Sequence, residues 1–293
     1  MLVAHRRRGT AAVWAAVATV TVAAGALSGA VPASAAVDAT RVKVVVRDGH
    51  VRSAPDALRP GLHRFAVEVA GGAETGLQLV RPRSGYTAGE YARDAELAST
   101  GTLVQVRRAQ RRIADHARQW GGVVVDGPAT EVFWQSLPAG RVFLVTPDRP
   151  SEVHRVRVSG DRRRATVPAT TARVEVTEGS LTSSAVTLPT RGTLQISNTG
   201  TQTHVVGMAK LAPGKTVDDV IAYFTSVFTD PAAEDPFDEA EFGAAALYQD
   251  PGSREWLRYD VTPGNYVVIC YDVELSDFSI HLVAGEMVGV TVG

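Results

Sequence analysis

The chain has 293 residues, 45% of them hydrophobic and 21% charged, with 30 Lys and Arg against 31 Asp and Glu. This near-neutral balance gives no overall attraction to nucleic acid or to an anionic membrane surface. A single cysteine excludes an internal disulfide, and the length is enough for two ordinary domains.

In chain order, the first feature is a targeting segment. His5-Arg6-Arg7-Arg8 is basic, Ala11 to Leu27 is an apolar run, and "VPASA" ends in small residues at Ala35. These are the three parts of a secretory signal peptide over residues 1–35. The expectation is a secreted, extracytoplasmic protein whose mature chain starts near Ala36. Three arginines fall in that segment, which leaves 27 basic residues against 31 acidic ones. No later run is apolar enough to span a bilayer. Neither a membrane span after signal cleavage nor a nucleic-acid partner is expected.

Short Val/Thr/Leu-rich runs punctuated by Gly and Pro follow. "RVKVVV" (Arg41–Val46), "RFAVEVA" (Arg64–Ala70), "RVFLV" (Arg141–Val145), "RVRVSG" (Arg155–Gly160), "RVEVTEG" (Arg173–Gly179), "TLQISNTG" (Thr193–Gly200) and "NYVVIC" (Asn265–Cys270) read as strands. Several alternate apolar and polar, as half-buried antiparallel strands do. Gly71, Gly85 and Thr87 align with Gly200, Gly214 and Thr216 at one constant offset, and "LPAGRVFLV" aligns with "VTPGNYVVI". The chain therefore reads as two copies of one unit. One domain is expected over residues 37–162 and a second over 173–293, with a polar linker at 163–172. Each copy predicts a helix. Thr87 with Glu90 and Thr216 with Asp219 stand at capping-box spacing, and Val217, Val220, Ile221, Phe224, Val227 and Phe228 recur along one helical face. A second helix is expected in the first copy alone, from Val106 to Trp120.

The chemistry concentrates near the C-terminus. Cys270 offers a soft thiolate, His281 an imidazole and Met287 a thioether, and His204 supplies a second imidazole from upstream. One thiolate, two imidazoles and a weak thioether are the ligand set of a blue-copper site. Tyr266, Val268 and Cys270 share one strand face. If Val268 faces the core, so does Cys270, at the strand's end, where a loop can return His281 and Met287. Zinc stays open, since His204, Cys270, His281 and a carboxylate such as Glu286 would satisfy it. In the first copy the matching positions hold Thr75, Thr146 and His154, so no equivalent set exists there.

Over the whole second copy the sequence resembles the cupredoxins, the plastocyanin and azurin family, through "VEVTEGSL", "NTGTQTHVV", "LAPGKTVDDVIAYF", "VTPGNYVVICYD" and "IHLVAGEMVGVTV". The resemblance implies an all-β fold: two tandem antiparallel Greek-key β-sandwiches, each with an inserted α-helix. It also implies one type 1 copper in the second domain, held by His204, Cys270, His281 and Met287, serving electron transfer. The sequence departs from the family in its Cys-to-His loop, with ten residues between Cys270 and His281. No enzyme is expected. Cys270 is flanked by Ile269 and Tyr271, no His-x-His occurs, and His50, His63, His116 and His154 are scattered. A metal-free binding or structural protein and a copper-delivery or sequestration protein are the alternatives. The partner would be a redox or copper-exchange protein of unknown identity. Arg107, Arg108, Arg111 and Arg112 correspond in the other copy to an acidic stretch, Asp230 to Glu241, which suggests docking between domains or of a charged partner.

Overall fold

The computed structural model describes residues 38–293, except 72–73, 227–229, 231 and 274–279. The expected signal segment, residues 1–35, lies outside the described residues. Among those described, no helix is long and apolar enough to cross a membrane.

The N-terminal half contributes β1 (Thr40–Arg47), β2 (His50–Ser53), β3 (Ala57–Leu58), β4 (Gly61–Ala70) and β5 (Thr75–Pro82). Helices α1 (Ala88–Thr100) and α2 (Leu103–His116) follow, then β6 (Ala117–Val125), β7 (Thr130–Leu137), β8 (Gly140–Thr146) and β9 (Arg149–Val158). The C-terminal half contributes β10 (Ala172–Thr177), β11 (Ser180–Ser183), β12 (Thr187–Leu188), β13 (Arg191–Asn198), β14 (Val206–Leu211) and α3 (Val217–Ser226). It continues with β15 (Phe237–Ala245), β16 (Arg254–Asp260), β17 (Gly264–Cys270), a 3-10 turn (His281–Ala284) and β18 (Met287–Val292).

The molecule is all-β in class, built as two β-sandwiches. Each half has its own five-stranded sheet, in the orders β3-β9-β8-β5-β6 and β12-β18-β17-β14-β15. The opposing layer is common to both, a single eight-stranded sheet in the order β11-β10-β13-β16-β7-β4-β1-β2. Most pairs are antiparallel, while β1 with β4, β10 with β13, β12 with β18 and β3 with β9 run parallel. The seam is the antiparallel pair β16 and β7, with Trp256 opposite Trp134 and Leu257 opposite Phe133. One continuous apolar cluster fills both sandwiches, from Val44, Phe65 and Leu144 on one side to Val174, Ile196 and Val268 on the other. Alternation explains it: Val42, Val44 and Val46 are buried on one face of β1, and Lys43 between them is exposed.

Phe133 is buried at this seam and stacks on Phe65, with ring centroids 4.9 Å apart. Phe133→Ala is expected to cost about 3–5 kcal/mol, because transfer and cavity terms add. Denaturant unfolding followed by tryptophan fluorescence checks this; a loss under 1 kcal/mol would show that the seam tolerates a void.

The helices form where the caps stand. Thr87 and Glu90 make a reciprocal capping box, with Thr87 N donating to Glu90 Oε2 at 2.8 Å and Glu90 N to Thr87 Oγ1 at 3.2 Å. Thr216 N donates to Asp219 Oδ2 at 2.8 Å ahead of α3, and Val227 and Phe228 lie outside the described residues. The second helix of the N-terminal half runs Leu103–His116 rather than Val106–Trp120. Ala117, Arg118 and Gln119 instead pair with Pro82, Arg81 and Val80 of β5, so a sheet partner displaces the last helical turn. Three residues of the charged stretches have local partners. Arg112 Nε donates to Asp94 Oδ2 at 2.9 Å, Glu234 pairs with Lys215 at 2.8 Å, and Glu241 pairs with Lys210 at 2.8 Å. Each of these pairs stays within one half.

Candidate metal centre

Three elements bring the site together at one end of the C-terminal sandwich. Cys270 is the last residue of β17. Tyr266, Val268 and Cys270 face the interior cluster, while Val267 and Ile269 face the opposite side. Cys270 is fixed at the sheet's rim because its N–H donates to Glu286 O at 2.9 Å and the N–H of Tyr271 donates to Val205 O at 2.8 Å. His204 lies two residues before β14, held there by an isolated antiparallel bridge to Gln249. His281 opens the 3-10 turn, and its N–H donates to Asp272 O at 3.0 Å.

The three side chains converge through like atoms. His204 Nδ1 and His281 Nδ1 are 3.3 Å apart, and each lies 3.6 Å from Cys270 Sγ. This is a nearly regular triangle. Two nitrogens at about 2.0–2.1 Å and a thiolate at about 2.3 Å from one ion, in tetrahedral arrangement, require edges of about 3.3–3.6 Å. His204 and Cys270 are 0% exposed and His281 is 6% exposed, so the triangle is closed off from bulk solvent.

Met287 does not join them. It pairs across the sheet with Ile269, and its side chain packs on the far face with Ile269, Leu282 and the α3 residue Val220. Glu286 takes the position that the resemblance gave to Met287. Glu286 Oε2 lies 2.9 Å from His204 Nδ1 and 3.4 Å from His281 Nδ1, and the residue is 1% exposed. The reason is register. Adjacent strand residues face opposite ways, and Glu286 stands beside Cys270 while Met287 stands beside Ile269. Glu286 Oε1 is anchored separately by the N–H of Gly179 at 3.0 Å, from the turn between β10 and β11. Gly285 makes this approach possible. Its φ is 111°, and a Cβ there would come within 2.9 Å of Gly179 O.

The electrostatics suit a cation. Burial pushes the Cys270 thiol well up, and the Glu286 and Asp272 carboxylates add to the shift. Burial also opposes ionisation of Glu286, but the two facing imidazoles and the Gly179 amide outweigh it and hold the carboxyl below its usual range. Glu286 Oε2 is buried and close to both imidazoles, yet no hydrogen bond is aligned on it. Four donor atoms within 4.8 Å of one another, all buried, fit a metal ion better than they fit mutual hydrogen bonding. Among the described residues, no second group of three or more His, Cys, Asp or Glu side chains gathers in this way. At the matching rim of the N-terminal half, Thr146 Oγ1 donates to Gly49 O at 2.5 Å. Thr75 is buried nearby, and His154 lies 3.5 Å from Asp56.

No protein-family model matches the chain, and no curated protein matches it. Among solved structures it is similar to auracyanin from the photosynthetic bacterium Roseiflexus castenholzii, with 22% identity, TM-score 0.29, and coverage of 41% of this chain and 94% of that one. It is also similar to auracyanin A of Chloroflexus aurantiacus, described as a blue copper protein, with 14% identity and TM-score 0.25 over 41% of this chain and 99% of that one. A copper-containing nitrite reductase from Thermus scotoductus covers more of the chain, 87%, and 62% of its own length, at 9% identity and TM-score 0.25. At scores this low, the distances around Cys270 remain the ground for a functional reading.

Proposed function

We propose that this is an extracytoplasmic copper-binding protein of cupredoxin type, carrying one copper ion in its C-terminal half for electron transfer. The observation that carries the reading is the triangle of His204 Nδ1, His281 Nδ1 and Cys270 Sγ, with edges of 3.3, 3.6 and 3.6 Å. A trigonal His2Cys group is the donor set of copper electron-transfer sites. Bound copper would supply one-electron exchange between its two oxidation states. The chain's own residues supply the rest. Cys270, His204 and His281 would hold the ion, and Glu286, tethered through Gly179, would offer a carboxylate beside them. Burial keeps water out, so the donors need not reorganise when the charge changes. The N-terminal half, with Thr75 and Thr146 at the corresponding rim, would hold no ion of this kind.

Purified protein with its thiol reduced should bind one equivalent of Cu(II). It should then develop the intense visible absorption of a thiolate–copper bond. A protein with a confirmed free thiol and no such band would remove this reading. The Glu286 carboxylate favours one second reading, a zinc site of Cys, two His and Glu. Copper binds such donors more tightly than zinc, so zinc-loaded protein should exchange on adding Cu(II). Retention of zinc against excess copper would replace the first reading by the second.

A further inference from the structure

We infer that the N-terminal half positions the ligand His204, through a buried polar chain running from Gly121–Gly122 by way of Glu255 and Gln249. The inference rests on the copper reading above and assigns a role to the half of the chain that lacks ligands.

The Nδ1 of His204 faces the site, 2.9 Å from Glu286 Oε2. Metal-binding imidazoles ordinarily donate their second ring nitrogen to an acceptor that fixes the ring. The Nε2 of His204 is buried without a hydrogen-bond partner. With that side of the ring unheld, its placement depends on its backbone as well as on the site, and the backbone is held by Gln249 in both directions. His204 N donates to Gln249 O at 3.0 Å, and Gln249 N donates to His204 O at 2.8 Å.

Gln249 is in turn held from the other half. It bridges Trp120 of β6 on the side away from His204. Its Nε2 donates to Glu255 Oε1 at 2.9 Å, and Glu255 Oε2 accepts the N–H of Gly122 at 2.9 Å. The residues beside it are zipped the same way. Gly121 N donates to Tyr248 O at 2.7 Å, and Gln78 Nε2 donates to both Gly121 O and Tyr248 O, at 2.9 and 3.0 Å. Gln119 N donates to Asp250 Oδ2 at 2.7 Å, while Asp250 Oδ1 accepts the Thr203 hydroxyl at 2.6 Å, one residue before His204.

Glu255 is the informative member. It is completely buried, and both its oxygens accept from amides of different halves. An apolar side chain would cost less to bury, so a carboxyl kept here serves geometry better than it serves stability. The backbone is shaped around it. A Cβ on Gly121, where φ is 81°, would lie 2.2 Å from Glu255 Oε2, so only glycine fits.

The test uses the full-length protein loaded with Cu(II). Glu255→Gln keeps the volume but turns an amide against Gly122 N–H or the Gln249 amide. Copper should then leave about 10–100-fold faster, as on losing an outer-shell partner, and the thiolate–copper band and reduction potential should shift. Thr203→Val, which removes only the Asp250 link, should move the same readouts less and keeps the inference testable if Glu255→Gln does not fold. Tyr86→Phe, which loses the bond to Asp94 far from the chain of contacts, should leave them unchanged. Variants that lower thermal stability but keep the wild-type band, potential and copper release rate would reduce Glu255 to a structural residue and overturn the inference alone. A wild-type protein without the band overturns the copper reading and this inference together.

Discussion

Cys270→Ser protein will stay colourless on addition of Cu(II) and will lose stoichiometric copper binding. The visible band needs a sulphur-to-copper transition, and no other side chain of the chain can supply it, since Cys270 is the sole cysteine. Serine is smaller and harder, and its hydroxyl is not ionised at neutral pH. Affinity should fall by more than the roughly 10–100-fold that loss of an outer-shell partner costs. The fold should survive, because the substitution removes little volume. The buried hydroxyl, set between His204 and His281, costs about 1–3 kcal/mol at most. Thr146→Ser, at the matching rim of the other half, is the control and should leave copper binding intact. An unchanged absorption band in Cys270→Ser would sink the ligand assignment.

Substitution at Glu286 and at Met287 should separate the two neighbours sharply. Glu286→Met exchanges a carboxylate for a thioether, which favours the reduced ion, and the reduction potential should rise. A unit negative charge about 4 Å from the ion stabilises each added positive charge by roughly 4 kcal/mol at an effective dielectric of 20. For a one-electron couple that corresponds to on the order of 150 mV. Met287→Leu should leave the potential and the band alone and cost less than about 1.5 kcal/mol of stability, as volume-conserving core exchanges do. The opposite pattern, a large shift from Met287→Leu and none from Glu286→Met, would return the fourth position to the methionine.

These predictions show where the sequence could be read and where it could not. Period-two alternation in "RVKVVV" and "RFAVEVA" marks β1 and β4, and capping boxes mark the starts of α1 and α3. The parity of Tyr266, Val268 and Cys270 correctly turns the thiol inward. The same argument was available for β18. Val288, Val290 and Val292 face the interior, and Glu286 shares their parity while Met287 does not. Ligand chemistry points to the thioether, while strand register turns Glu286 rather than Met287 toward Cys270. Residues 117–120 read as helix because nothing local reveals that β5 waits to pair with them. The contacts of Gln249 and Glu255 with β6 span more than a hundred residues of sequence, so no pattern along the chain could announce them.

The seam between β7 and β16 carries a last consequence. Strands in corresponding places of the two halves meet there edge to edge and antiparallel. That is the relation two identical subunits adopt about a twofold axis. Among the described residues, His204, Cys270, His281 and Glu286 converge in the C-terminal half alone. Either half alone would expose the N–H and C=O groups of this edge around Trp134 or Trp256, and an open edge invites another chain. The pairing of β7 with β16 covers both of these edges.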